Sequence, residues 1–89
     1  MLLARVVGNV VATRKDTRLE GKKLLVLQTV TPQGKPKKDS YVVAIDTVGA
    51  GPKETVIAVS GSSARLADGL KETPVDTAIV GIVDKVDLD

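Results

Sequence analysis

The residues with the best chance of doing chemistry begin with a glycine-rich run, GAGPKET at 49–55, which gathers backbone N–H groups, a lysine and a hydroxyl in the manner of a phosphate cradle. The spacing breaks that pattern. Glu54 separates Lys53 from Thr55, the G-x-x-x-x-G-K-[ST] order is absent, and a β-rich run follows where a helix is needed. These residues read instead as a tight turn that uses glycine for positive φ. Ser60, Ser62 and Ser63 suggest a nucleophile, yet the chain has no histidine and no cysteine to serve as base or thiolate. Ser62 or Ser63 capping a short helix is the simpler role. The eleven carboxylates are scattered, without EF-hand spacing and without a close pair beside a base. No catalytic, metal or cofactor residue is therefore assigned. Lys22, Lys23, Lys35, Lys37 and Lys38 form the one basic concentration. Single-strand binding also needs rings on which bases stack, and Tyr41 is the sole aromatic residue.

Composition bounds what can position such groups. Eighty-nine residues make a single domain, 1–89, that buries about 60–65% of the surface its unfolded chain would expose, so association would add to a modest stability. The hydrophobic fraction of 43% excludes disorder, and with no Phe and no Trp the core must be aliphatic. Val and Ile favour a pleated surface. The absence of cysteine and histidine removes disulfides and the usual zinc ligand sets. No apolar stretch reaches the length of a membrane span or signal core, so the chain reads as cytoplasmic with no membrane partner. A formal charge of +2 names no partner.

Along the chain, residues 2–13 (LLARVVGNVVAT) predict a first strand bent at Gly8, since glycine inside a strand marks a bulge or barrel corner. A polar loop over 14–23 leads to a second strand at 24–30. Residues 31–40 (TPQGKPKKDS) predict an exposed hairpin loop, 41–46 a third strand, 47–53 a glycine-rich connection and 54–59 a fourth strand. Residues 60–69 (SGSSARLADG) predict a short α-helix stopped by Gly69. After a loop at 70–74, residues 75–86 form the last strand, broken by Gly81. The fold class is all-β: a small five-stranded OB-like barrel with one short α-helix, with an SH3-like barrel as the competing topology.

Four stretches then become recognisable together: RVVGNVVATRK at 5–15, AIDTVGAG at 44–51, VSGSSAR at 59–65 and PVDTAIVGIVD at 74–84. In this order the chain resembles the EutN/CcmL family of bacterial microcompartment vertex proteins. The resemblance implies a non-enzymatic, carboxysome-like shell protein: a barrel forming a homo-pentamer that plugs the five-fold corners of a shell built mainly from hexameric shell proteins. It would reside in the microcompartment shell within the cytoplasm. A head-to-tail contact that closes after five copies supplies the curvature that a flat sheet of hexamers lacks. Gly49, Ala50 and Gly51 are then the candidates for close approach near the ring axis, and Ser62, Ser63 and Arg65 for polar contacts at the subunit seam. The alternative from a different class is an OB-like nucleic-acid-binding module.

Overall fold

Residues of alternating polarity with short turns between them can bury one face only by pairing edges, and here the pairing closes on itself. The computed structural model describes residues 1–13, 15–67, 70 and 73–89. Strands β1 (Leu2–Val10), β2 (Lys23–Val30), β3 (Pro36–Asp46), β4 (Thr55–Ser60) and β5 (Thr77–Ile82) form a closed barrel in the order β1-β2-β3-β5-β4. Every pairing is antiparallel except that of β3 with β5, a parallel contact of two register pairs, Ile45 with Ala78 and Asp46 with Ile79. This is the OB-like arrangement.

Alternation along β1, β2 and β4 turns Ala4, Val6, Leu25, Leu27, Val56 and Ala58 inward, where they meet Ala44, Ala50 and Ile79 in the main core. Four of those nine buried residues are alanine, as a barrel of only five strands requires, because its interior is narrow. A second cluster of Ile45, Ala64, Leu70 and Ala78 fills the side of the barrel where β3 meets β5.

Both strand glycines mark bulges, as their positions predict. The β1–β2 register shifts between Val6 and Gly8, leaving Val7 as the extra residue, and a second shift leaves Val80 extra beside Gly81 in β5. Elsewhere the boundaries move. β1 stops at Val10 rather than at residue 13, and the polar loop after it contains a 3-10 turn, Thr17–Leu19, started by Asp16. The tight turn after β2 closes within residues 31–35, through Thr31 N–H to the Lys35 carbonyl (2.8 Å) and Gly34 N–H to the Thr31 carbonyl (2.8 Å). β3 consequently starts at Pro36, five residues before the predicted start at 41. Its first part is a wide bulge: Pro36 faces Val30 and Tyr41 faces Gln28, with Asp39 between them at φ 57°.

The predicted α-helix is a 3-10 helix, Gly61–Leu66. Gly61 at φ 68° swings the chain out of β4, Ser60 at the N-cap makes no side-chain hydrogen bond, and Ser62 and Ser63 lie inside the turn instead of capping it. Ala64 is its one buried side chain, too little apolar contact to extend an α-helical face. The predicted stop, Gly69, lies outside the described residues.

Candidate subunit-interface site

The turn after β3 is organised by a carboxylate. Asp46, its side chain only 4% exposed, accepts hydrogen bonds from Val48 N–H (3.1 Å) and Ala50 N–H (2.9 Å), an Asx-type device that fixes the chain just as it leaves the strand. Lys23 at the start of β2 completes the knot. Its ammonium donates to the Ala50 carbonyl at 2.6 Å and lies 3.9 Å from Asp46 Oδ2. Thr47 Oγ1 donates to the Ile79 carbonyl at 2.7 Å, tying the turn to β5.

Past this knot the chain crosses back to β1. Gly49 adopts φ 79°, a region that favours glycine, and nothing lies within 4 Å of where a Cβ would stand, so its requirement is conformational. At Gly51 space is tight: a Cβ there would come within 3.2 Å of Glu54 Oε1, which accepts from Gly51 N–H at 2.6 Å. Lys53 N–H donates to the Val6 carbonyl and Val6 N–H to the Glu54 carbonyl, each at 2.9 Å, and β4 begins at the next residue.

The sequence candidates therefore divide. Gly49 is exposed and open to a neighbour, while Gly51 is half-buried with its N–H and carbonyl both engaged by Glu54. Ala50 is closed off: its side chain is fully buried in the barrel core, its N–H goes to Asp46 and its carbonyl to Lys23. It anchors the turn from inside. Ser62, Ser63 and Arg65 are all exposed around the buried Ala64. Arg65 Nη1 donates to the Val75 carbonyl at 3.4 Å, and Gly61 N–H donates to the Asp76 carbonyl at 2.7 Å.

One junction positions both motifs. Asp46 and Ile79 hold the glycine turn, while Ile45 and Ala78 pack under Ala64, so the two-residue parallel contact of β3 with β5 carries the turn and the 3-10 helix alike. Asp46, Lys23 and Glu54 are the residues that sequence reasoning missed. Asp46 had a local signal, an aspartate two residues before a backbone N–H at the mouth of a glycine turn. Lys23 had none, being 27 residues from the carbonyl it binds.

The remaining chemistry is dispersed. Lys35, Lys37 and Lys38 are exposed along the β2–β3 hairpin, and Tyr41 beyond them is 61% exposed and alone as an aromatic ring. Lys23 is engaged with Ala50 and Asp46 instead of joining them. Among the described residues no group of three His, Cys, Asp or Glu side chains is placed to hold a metal ion, and no helix is long and apolar enough to cross a membrane. At the 3-10 turn, hydrogen bonds from the Arg18 guanidinium and backbone lower the Asp16 pKa from 3.8 to about 2.

Comparison with known proteins identifies what this barrel resembles as a whole. The family model described as ethanolamine utilisation protein EutN/carboxysome matches residues 1–84. The bacterial microcompartment shell vertex protein GrpN of Rhodospirillum rubrum is 47% identical over 87 residues, covering 98% of this chain and 97% of its own. The solved pentameric microcompartment shell protein GrpN of that organism superposes with a TM-score of 0.91 at 45% identity, over 100% of both chains. CcmL of Nostoc sp. PCC 7120 superposes with a TM-score of 0.94 at 44% identity, over 100% of this chain and 93% of that one. With the barrel, its bulges and both candidate motifs lying inside the matched span, the chain belongs to the EutN/CcmL family.

Proposed function

We infer that this protein is a structural subunit of a bacterial microcompartment shell, and that five copies close into a ring that caps a five-fold vertex. The observation that carries the reading is similarity over nearly the full length to shell vertex proteins, one of them solved as a pentameric shell protein. The action is geometric. Each copy offers one surface to a different surface of the next, and such a heterologous contact closes when its rotation divides the circle. An interface of ordinary size buries about 800 Å² per partner, which offsets the limited core of a small aliphatic barrel.

Gly49 and Gly51 present backbone at close approach, Ser62, Ser63 and Arg65 supply polar contacts at the seam, and Ala50 holds the turn in shape from within. A rigid turn suits this task, because a ring that must close on a fifth copy tolerates little angular scatter at each contact. The ring sits among hexameric shell proteins, and the protein works in the cytoplasm at the shell without chemistry of its own. Nucleic-acid binding by the lysine hairpin finds no second stacking ring beside Tyr41 and no support among the relatives.

Co-expression with the hexameric proteins of a microcompartment tests the role. Electron microscopy should find closed polyhedra with this chain and open or elongated shells without it. Equal closure in both cases would refute vertex capping.

A further inference from the structure

The β1 bulge has a consequence on the outer surface. By throwing Val7 outward, 47% exposed, it opens a groove of about 480 Å³ between β1 and the Pro52–Lys53 turn. Val6, Val7 and Pro52 give it an apolar floor, Arg5, Lys23 and Lys53 give it a cationic rim, and among the described residues no carboxylate lines it. Arg5 also donates to the Gly34 carbonyl at 3.3 Å, and Lys23 is held at Ala50 with Asp46 as its counter-charge, so Arg5 and Lys53 carry the net charge of the rim. The groove continues directly from Gly51 through Pro52, the exposed end of the glycine turn.

The segment after β5 has complementary chemistry. Residues 84–89 read DKVDLD, with three aspartates against one lysine, and that lysine's ammonium lies 3.2 Å from Asp87. Val86 and Leu88, two apart and therefore on one face of an extended chain, remain 41% and 57% exposed. Within the protomer the start of this segment lines a different cleft, with Leu3 and residues 31–34, which among the described residues shares no lining with the cationic groove. Val83 is pinned by its N–H to the Thr55 carbonyl at 2.8 Å. Six extended residues beyond it span about 20 Å, enough to leave the protomer's own surface.

Resting on the ring reading above, we propose that residues 84–89 of one copy dock into the Arg5–Lys53 groove of the next. Val86 and Leu88 lie on the apolar floor and the aspartates meet the cationic rim. The occupant is a second copy of this chain, and the contact is unlike on its two sides, as a closing head-to-tail ring needs.

A chain without cysteine makes the test clean. The double variant Val7→Cys with Leu88→Cys, oxidised and run on a denaturing gel without reductant, should give a ladder of covalently linked copies. Loss of both thiols at monomer mobility would mean docking within one chain and would overturn the proposal. A five-copy native mass with no cross-link would overturn the docking while leaving the ring reading intact, whereas a monomeric native mass would remove both. Charge reversal gives a second measurement that does not depend on a disulfide. Arg5→Glu with Lys53→Glu, or Asp84→Lys, Asp87→Lys and Asp89→Lys, should each speed subunit exchange about three- to tenfold, and all five changes in one chain should restore it. Additive damage in the combined variant would contradict the proposal.

Discussion

The glycine turn at 47–53 and the 3-10 helix Gly61–Leu66 hang from the same β3–β5 junction and are held in opposite ways. The turn is wired by polar groups: a buried carboxylate with two backbone N–H donors, a lysine on a carbonyl and a threonine on β5. The helix is held mainly by packing of its one buried side chain, Ala64, with a backbone hydrogen bond at its start, Gly61 N–H to the Asp76 carbonyl at 2.7 Å, and a long Arg65 contact at its rim. Directional bonds along a segment specify its conformation, whereas one buried methyl and a bond at one end specify only an attachment. The turn is accordingly the rigid partner of the pair, and the helix the part that can adjust when a neighbour arrives.

Asp46→Ala should break the comparison most severely. It leaves the Ala50 N–H without its acceptor and turns the exposed Val48 N–H and the half-exposed Lys23 ammonium over to water, a loss of about 1–3 kcal/mol, set by the one group left unpaired away from solvent. Urea denaturation measures it, and a change below about 1 kcal/mol would show that the wiring does not hold the turn. Ala64→Leu probes the other region. Extra methylenes under the 3-10 helix should cost about 1–3 kcal/mol by overpacking, while amide exchange slows no less than before in the glycine turn. Exchange that accelerates equally in both regions would erase the distinction between them.

How much of this was legible in the sequence depended on the range of the interactions. Gly8 and Gly81 announced their bulges because a glycine within a run of β-branched residues is a local signal, and the strand count followed from the runs themselves. The start of β3 was not legible. Residues 36–40 carry lysines, a proline and a serine, and they join the strand only as a bulge, with Ser40 Oγ and Gln28 Nε2 both donating to the Lys37 carbonyl. The helix type was hidden for a related reason: serines before an alanine and a leucine fit either helix, and the choice fell to how little Ala64 could bury. At the site, the glycines were visible and Asp46 was overlooked. Ala50 looked open from its glycine neighbours, yet its methyl fills the barrel core.

Smaller effects sharpen the same contrast. Gly49→Ala should cost about 1–2 kcal/mol, since its φ of 79° strains any other residue although the space is open. A neutral result by denaturation would mean that the turn can relax. Asp16 supplies the faintest effect, at the exposed start of the 3-10 turn Thr17–Leu19. Its folded pKa is depressed from 3.8 to about 2, so its contribution is present above pH 4 and is lost as pH falls through about 2. The stability difference between the wild type and Asp16→Asn should therefore hold steady from pH 7 to about 4 and shrink below that. A difference that does not change with pH would detach the effect from ionisation.

Native mass spectrometry of the unmodified chain tests the central claim most directly, because it counts copies. A single dominant species of five subunits is the predicted result. A chain that stays monomeric at high concentration, or one whose assemblies grow without closing at a fixed number, would contradict it.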